Sequence, residues 1–200
     1  MNLPNRLTVA RVLIVPVFLV VMLAPCGIAY RSLWALILFA AASYTDRLDG
    51  RIARRTNQVT NFGKFMDPLA DKILVMSALI CFVQFGLAEA WMVILILARE
   101  FLVTGIRLIA AERGRVIAAN RWGKAKTVSQ ICAIIAVLAF RFVLELVEAG
   151  RVPRFAVLGA DCASAFGRAG NILILIATVF SVVSGAVYLI RNRSLVDAMK

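Results

Sequence analysis

The sequence predicts an all-α integral membrane protein whose six transmembrane helices form one membrane-embedded domain over residues 1–200. Three observations predict this fold class. Hydrophobic residues make up 62% of the chain and the mean hydropathy is +0.88, whereas soluble domains contain about 45–50% apolar residues. Six apolar runs of about 20 residues, the length that crosses a bilayer, nearly exhaust the chain. Basic residues border these runs and lie mostly on one side.

The six helices follow from the apolar runs and their charged borders. Their approximate ranges are residues 8–25, 33–54, 64–86, 91–111, 124–147 and 171–190. The first run superficially resembles a signal sequence. It is long, however, and Pro25 directly precedes Cys26, so we expect a retained helix. Residues 148–170 are rich in Gly and Ala and contain Pro153 and Asp161, which predicts a loop, with or without a short interfacial helix.

The charge distribution predicts the orientation. An even number of spans places both termini on one side, and that side carries 17 of the 23 basic residues. The positive-inside rule therefore predicts a cytoplasmic N-terminus and a cytoplasmic C-terminus. A net charge of +12 does not indicate nucleic-acid binding, because the basic residues cluster at span ends and form no soluble basic face. Membrane lipids and phosphate-bearing substrates are the expected partners.

Four aspartates, Asp46, Asp49, Asp67 and Asp71, form a frame that reads D-x-x-D-G-x-x-A-R, eight residues, then G-x-x-x-D-x-x-x-D. A carboxylate deep in a bilayer costs on the order of 3 kcal/mol, and four would repel one another without a cation between them. Residues three or four apart share a helix face, so each pair is expected to project from one helix. Such oxygen ligands favour Mg²⁺ or Mn²⁺, and Mg²⁺ usually shares its coordination with substrate phosphates. The frame therefore predicts a diphosphate site.

Other features of the sequence bear on this interpretation. Gly50, Ala53 and Gly63 would let a bulky ligand approach the backbone. The alternative is that the aspartates are interfacial charges paired with nearby basic residues. The four cysteines form no C-x-x-C pair and the chain has no histidine, so neither a zinc site nor a disulfide framework is expected.

Cations outside the frame are candidate phosphate ligands. Arg99 and Arg107 share a face of the fourth helix, and for Arg99 a buried network with Glu100 and a functional role remain equally open. Arg107 lies nearer the cytoplasmic end. Lys124 and Lys126 open the fifth helix, where the helix dipole disfavours cations, so an anionic ligand is expected there. The alternative is a topology determinant that meets lipid headgroups.

The aspartate frame resembles the signature of the CDP-alcohol phosphatidyltransferase family without a mismatch. Residues 2–11, 45–72 and 98–127 are most similar to members whose acceptor is glycerol 3-phosphate. The resemblance covers roughly residues 1–130. Beyond them only hydrophobicity matches, and residues 148–170 form a longer connection than the family would lead us to expect.

The resemblance implies a six-helix bundle and a homodimer in a bacterial inner membrane, and the positive-inside rule puts the aspartate frame at its cytoplasmic face. It also implies two divalent ions, Mg²⁺ or Mn²⁺, and Asp71 as the general base. The expected reaction is phosphatidyl transfer from CDP-diacylglycerol to sn-glycerol 3-phosphate with release of CMP. The implied ion ligands are Asp46, Asp49, Asp67 and Asp71; the implied CDP-pocket residues are Gly50, Ala53, Arg54 and Gly63; the expected acceptor-phosphate ligands are Arg107, Lys124 and Lys126.

Of three alternatives, one remains open and two lack the sequence pattern that they require. The same chemistry could use another acceptor, namely inositol phosphate, phosphatidylglycerol or serine. A prenyl-diphosphate enzyme would need a D-D-x-x-D run, which the sequence lacks. A cation transporter would favour discontinuous helices related by internal repeats, and the sequence indicates neither.

Overall fold

A computed structural model describes residues 3–25, 27–56, 61–112, 121–157 and 159–193, with side chains described at 9–25, 27–45, 72–111, 121–157 and 159–193. Six helices are present in these ranges, as the sequence predicts. They are α1 Leu3–Leu23, α2 Arg31–Thr56, α3 Asn61–Gln84, α4 Ala90–Glu112, α5 Arg121–Glu148 and α6 Cys162–Arg191. The bounds of α2 to α5 lie within about three residues of the predicted ones. Helices α1 and α6 begin earlier than predicted.

The helices pack around a core of buried aromatic and aliphatic side chains. The most extensive contacts are those of α5 with α6, and α1 packs on α2 and α3 while α4 packs on α6. Phe18, Phe39 and Phe82 are fully buried, and the rings of Phe18 and Phe39 lie 6.4 Å apart between centroids. Ile134 and Ile174 extend the core between α5 and α6.

The outward faces of the helices are apolar. On α4, Ile94, Phe101 and Leu108 lie seven residues apart along one stripe and expose 61%, 68% and 64% of their surface. Such continuous apolar stripes mark contact with lipid or with another chain. Within the described ranges, α5 and α6 are long and apolar enough to cross a bilayer, and α1 and α3 contain shorter apolar stretches. The protein is therefore a membrane-associated helical bundle.

The connection between α5 and α6 differs from the predicted loop over residues 148–170. Only residues 149–161 connect the helices, and they include a small antiparallel hairpin of β1 Ala156–Val157 and β2 Ala160–Asp161. Asp161 caps α6 by accepting a hydrogen bond from the backbone N–H of Ala163 at 3.2 Å. A Cβ at Gly170 would lie 3.2 Å from Cγ2 of Val137. The glycine thus permits close packing of α6 on α5, and its presence does not mark a loop.

Candidate active site

The aspartate frame spans the end of α2 and the beginning of α3. Asp46 and Asp49 lie in the helical segment of α2, and Asp67 and Asp71 lie in that of α3. The predicted placement of each pair on one helix is confirmed. The side chains of the whole frame, including Gly50, Ala53, Arg54 and Gly63, lie outside the described residues. The ion cage and the CDP pocket therefore remain predictions.

A cavity of about 540 Å³ opens beside this frame, between α3, α4 and α5. Ser43, three residues before Asp46, lines it from α2, and Lys72, the residue after Asp71, lines it from α3. The cavity also has apolar walls, formed by Val75, Met76, Ile96, Val103, Val128 and Ile131. The cavity is therefore lined by residues that lie close in sequence to both halves of the aspartate frame.

Charge distinguishes this space, which we call the cationic cavity. Among the described residues, its lining contains one carboxylate, Glu100, and five cations: Lys72, Arg99, Arg107, Lys124 and Lys126. The three predicted acceptor-phosphate ligands, Arg107, Lys124 and Lys126, are thus brought together. Arg107 and Lys124 are exposed at the residue level, whereas Lys126 is 5% exposed. The described lining residues carry an excess of positive charge, which favours an anionic ligand.

Glu100 links two of these cations. Its Oε1 accepts hydrogen bonds from Nζ of Lys126 and from Nη1 of Arg99, the latter at 2.8 Å. Glu100 is 8% exposed, and a buried carboxylate persists only when cations and hydrogen bonds compensate its lost hydration. The network with Glu100 that the sequence left open for Arg99 is therefore present. It fixes Lys126 at the wall of the cavity.

A second contact joins α3 to α4 near the frame. Nζ of Lys72 donates a hydrogen bond to Oγ1 of Thr104. That hydroxyl in turn donates to the backbone carbonyl of Glu100 at 2.6 Å. Lys72 is thereby held against α4 in the turn that follows Asp71. These hydrogen bonds connect the α3 residue that follows the frame to the α4 wall of the cavity.

The sequence analysis missed residues that line the cavity or contact its arginines, among them Gln130, Ser184, Gly185 and Tyr188. Gln130 lines the cavity one turn after Lys126. It is 3% exposed, and its Nε2 has no hydrogen-bond partner among the described residues. The other three lie on α6 and contact Arg99 or Arg107. The available signal was weak, a polar residue one turn from Lys126 and a Ser-Gly pair in an apolar span.

Comparison with known proteins defines the class. The sequence profile of the CDP-alcohol phosphatidyltransferase family matches residues 1–183. The chain belongs to this family. It is 52% identical over 157 residues to a CDP-diacylglycerol–glycerol-3-phosphate 3-phosphatidyltransferase of Bacillus subtilis, a match that covers 74% of this chain and 81% of that protein.

Two further relatives carry the same name. The Pseudomonas fluorescens protein is 40% identical over 145 residues, which cover 70% of this chain and 73% of that protein. The Rickettsia prowazekii protein is 44% identical over 133 residues, which cover 66% of this chain and 72% of that protein. The family resemblance drawn from the aspartate frame is confirmed.

Proposed function

We propose that this protein transfers the phosphatidyl group of CDP-diacylglycerol to sn-glycerol 3-phosphate, giving phosphatidylglycerophosphate and CMP in phospholipid biosynthesis. The observation that carries the proposal is the cationic cavity beside the aspartate frame of a family member. Its excess positive charge suits an acceptor that bears a phosphate. The names of the three relatives agree with this acceptor.

The aspartate frame would hold the donor. Asp46, Asp49, Asp67 and Asp71 would supply hard oxygen ligands from two consecutive helices, a donor set that fits Mg²⁺ or Mn²⁺. When bound, such ions would neutralise diphosphate charge and make CMP a better leaving group. Gly50, Ala53, Arg54 and Gly63 would line the pocket for the CDP moiety.

The chain's own residues account for proton transfer and acceptor placement. Arg107, Lys124 and Lys126 would hold the phosphate of glycerol 3-phosphate. The 1-hydroxyl oxygen of the acceptor forms a bond to the lipid-side phosphorus, the bond from that phosphorus to CMP breaks, and Asp71 accepts the hydroxyl proton. Most of the rate enhancement would come from holding the two substrates in line.

The membrane arrangement is part of the proposal. It comprises six spans and a homodimer in the bacterial inner membrane. A cytoplasmic N-terminus and C-terminus would put the site where water-soluble phosphorylated acceptors occur. The exposed apolar stripe of α4 and the lengths of α5 and α6 support the membrane location. Terminal fusions to a reporter active only in the cytoplasm would test the topology, and cross-linking in membranes would test the dimer.

An acceptor panel tests the reaction. Purified protein in detergent is given CDP-diacylglycerol and Mg²⁺ with glycerol 3-phosphate, inositol phosphate, phosphatidylglycerol or serine, and CMP release is measured. We expect CMP release with glycerol 3-phosphate and only background release with serine, which has no phosphate for the cationic cavity. Preferential CMP release with inositol phosphate would support the proposed reaction but would make inositol phosphate the acceptor. No CMP release with any of the four would refute the proposal.

A further inference from the structure

One face of α6 contacts both arginines of the cationic cavity. Nη2 of Arg99 donates a hydrogen bond to Oγ of Ser184 at 2.7 Å. Cζ of Arg107 lies 5.6 Å from the centroid of the Tyr188 ring, a distance within the range of a cation–π contact. Ser184 and Tyr188 are 0% and 3% exposed. Neither belongs to the cavity lining.

Gly185 provides the space for this arrangement. A Cβ at this position would lie 2.9 Å from Cγ of Arg99 and 3.8 Å from its Cβ. The clash would involve the base of the arginine side chain, close to the backbone of α4. Rotation of the distal guanidinium could not relieve it, so the whole side chain would have to change rotamer.

The arrangement continues from Arg99 to the acceptor-phosphate ligand. Arg99 donates to Glu100, and Glu100 accepts from Lys126. A displaced Arg99 would leave Glu100 with one cation fewer, and the position of Lys126 would change with it. Arg107 reaches the cavity independently and lies over the Tyr188 ring.

We propose that Ser184, Gly185 and Tyr188, here called the α6 seat, are positioning residues that set the acceptor affinity of the cationic cavity. Ser184 and Gly185 act through Arg99 and Glu100 on Lys126, and Tyr188 acts on Arg107. The inference rests on the proposed function, because it assigns the cavity to the phosphate of the acceptor. It makes α6, which lies outside the aspartate frame, a determinant of acceptor binding.

The first test is Gly185→Ala, with Gly167→Ala as the matched control on α6. A Cβ at Gly167 would meet no described atom within 4 Å. The KM for glycerol 3-phosphate is measured at saturating CDP-diacylglycerol, and the KM for CDP-diacylglycerol at saturating acceptor. We expect Gly185→Ala to raise the acceptor KM about tenfold, the value of one charge-assisted hydrogen bond. The donor KM of Gly185→Ala should stay within about twofold of wild type, because the donor is assigned to the aspartate frame. Gly167→Ala should leave both KM values within about twofold of wild type, because Gly167 does not line the cavity.

A second set of variants removes single contacts without adding bulk. Ser184→Ala deletes the acceptor for Arg99, and Ser181→Ala deletes a buried hydroxyl that has no partner among the described residues. Tyr188→Leu removes the ring beneath Arg107, whereas Tyr188→Phe keeps it. We expect Ser184→Ala and Tyr188→Leu to raise the acceptor KM about three- to fivefold. Tyr188→Phe should restore most of the loss seen in Tyr188→Leu.

Inhibition by inorganic phosphate gives a readout that a general packing defect would not move selectively. Its Ki against glycerol 3-phosphate should rise in parallel with the acceptor KM in Gly185→Ala, Ser184→Ala and Tyr188→Leu. Equal increases in donor and acceptor KM, or an unchanged acceptor KM in a folded Ser184→Ala and Tyr188→Leu, would overturn the inference. Wild-type protein without activity toward glycerol 3-phosphate would instead refute the proposed function.

Discussion

Two cavities of nearly equal volume lie toward opposite ends of α5, and their charges differ. The cationic cavity has a volume of about 540 Å³ and the other, here called the distal cavity, about 520 Å³. Lys126 in the first and Glu145 in the second are separated by 19 residues, about 28 Å of helix. The distal cavity is lined by Arg31, Arg141, Arg151, Glu145 and Glu148, among others. Counted over the described residues, its lining carries one excess positive charge, against four in the cationic cavity.

The carboxylates of the two cavities have different hydrogen-bond and ion-pair partners. In the distal cavity Glu145 accepts a hydrogen bond from Oγ of Ser32 at 2.7 Å and lies 3.9 Å from Nε of Arg31. Glu148 pairs with Arg141 at 3.1 Å. The contacts of Glu145 join the beginning of α2 to the end of α5, and each of the two carboxylates pairs with an arginine. In the cationic cavity Glu100 is the one carboxylate among the described lining residues, and it pairs with Arg99 and Lys126. Among the described residues, the two cavities thus differ in charge balance and not in volume.

The largest difference between the two ends should come from aspartate substitutions. Asp71→Asn removes the proposed base beside the cationic cavity, and we expect CMP release to fall about 10²- to 10⁴-fold while CDP-diacylglycerol still binds. Asp161→Asn, at the N-cap of α6, is the matched control and should release CMP at close to the wild-type rate. Single-turnover assays and equilibrium binding of the donor would measure both properties. Near-normal turnover by Asp71→Asn would remove the base assignment.

The next effect separates the two cavities directly. Lys126→Ala removes a cation that the structure places at the wall of the cationic cavity, and we expect the acceptor KM to rise about 10- to 100-fold with a smaller change in kcat. Arg141→Ala lies on the same helix at the distal cavity and should leave the KM within about twofold. Initial-rate kinetics with glycerol 3-phosphate provide the measurement. Equal KM values in the two variants would eliminate the distinction between the cavities.

The sequence predicted the parts of this site that depend on local spacing. The helical placement of the aspartate pairs follows from residues three and four apart on α2 and α3. The joint location of Arg107 and Lys126 follows from their positions at the adjoining ends of α4 and α5. In both cases the pattern is contained within one helix or two consecutive helices.

Long-range contacts were not predictable in this way. Arg99 and Ser184 are 85 residues apart in the chain, and no local pattern of α6 specifies that pairing. Gly170 was interpreted as part of a loop because glycine is common in both loops and close helix packing. The choice between these uses depends on Val137 of the neighbouring helix, which the sequence alone does not place.

Substitutions at the distal cavity should lower the stability of the protein without changing its kinetics. Glu145→Ala leaves the hydroxyl of Ser32, a 2%-exposed residue, without its acceptor, and we expect a loss of about 1–3 kcal/mol in the free energy of unfolding. Glu148→Ala removes an ion pair whose carboxylate side chain is 60% exposed, so it should cost no more than about 1 kcal/mol. Both should retain the wild-type acceptor KM. Thermal unfolding in detergent and parallel kinetics test this, and a raised acceptor KM in Glu145→Ala would mean that the distal cavity influences the reaction.

The smallest effect should come from Gln130, whose buried amide nitrogen has no partner among the described residues. Replacing an unpartnered buried polar group by an apolar one of similar size is nearly neutral or stabilising, so Gln130→Leu should keep or raise the unfolding temperature. Because Gln130 lines the cationic cavity, we expect the acceptor KM to rise about two- to fivefold. Asn171→Leu is the matched control, since Oδ1 of Asn171 is also buried without a partner in the described structure but lies outside both cavities. An unchanged acceptor KM with a lowered unfolding temperature in Gln130→Leu would assign the amide to packing and confine acceptor recognition to the charged side chains.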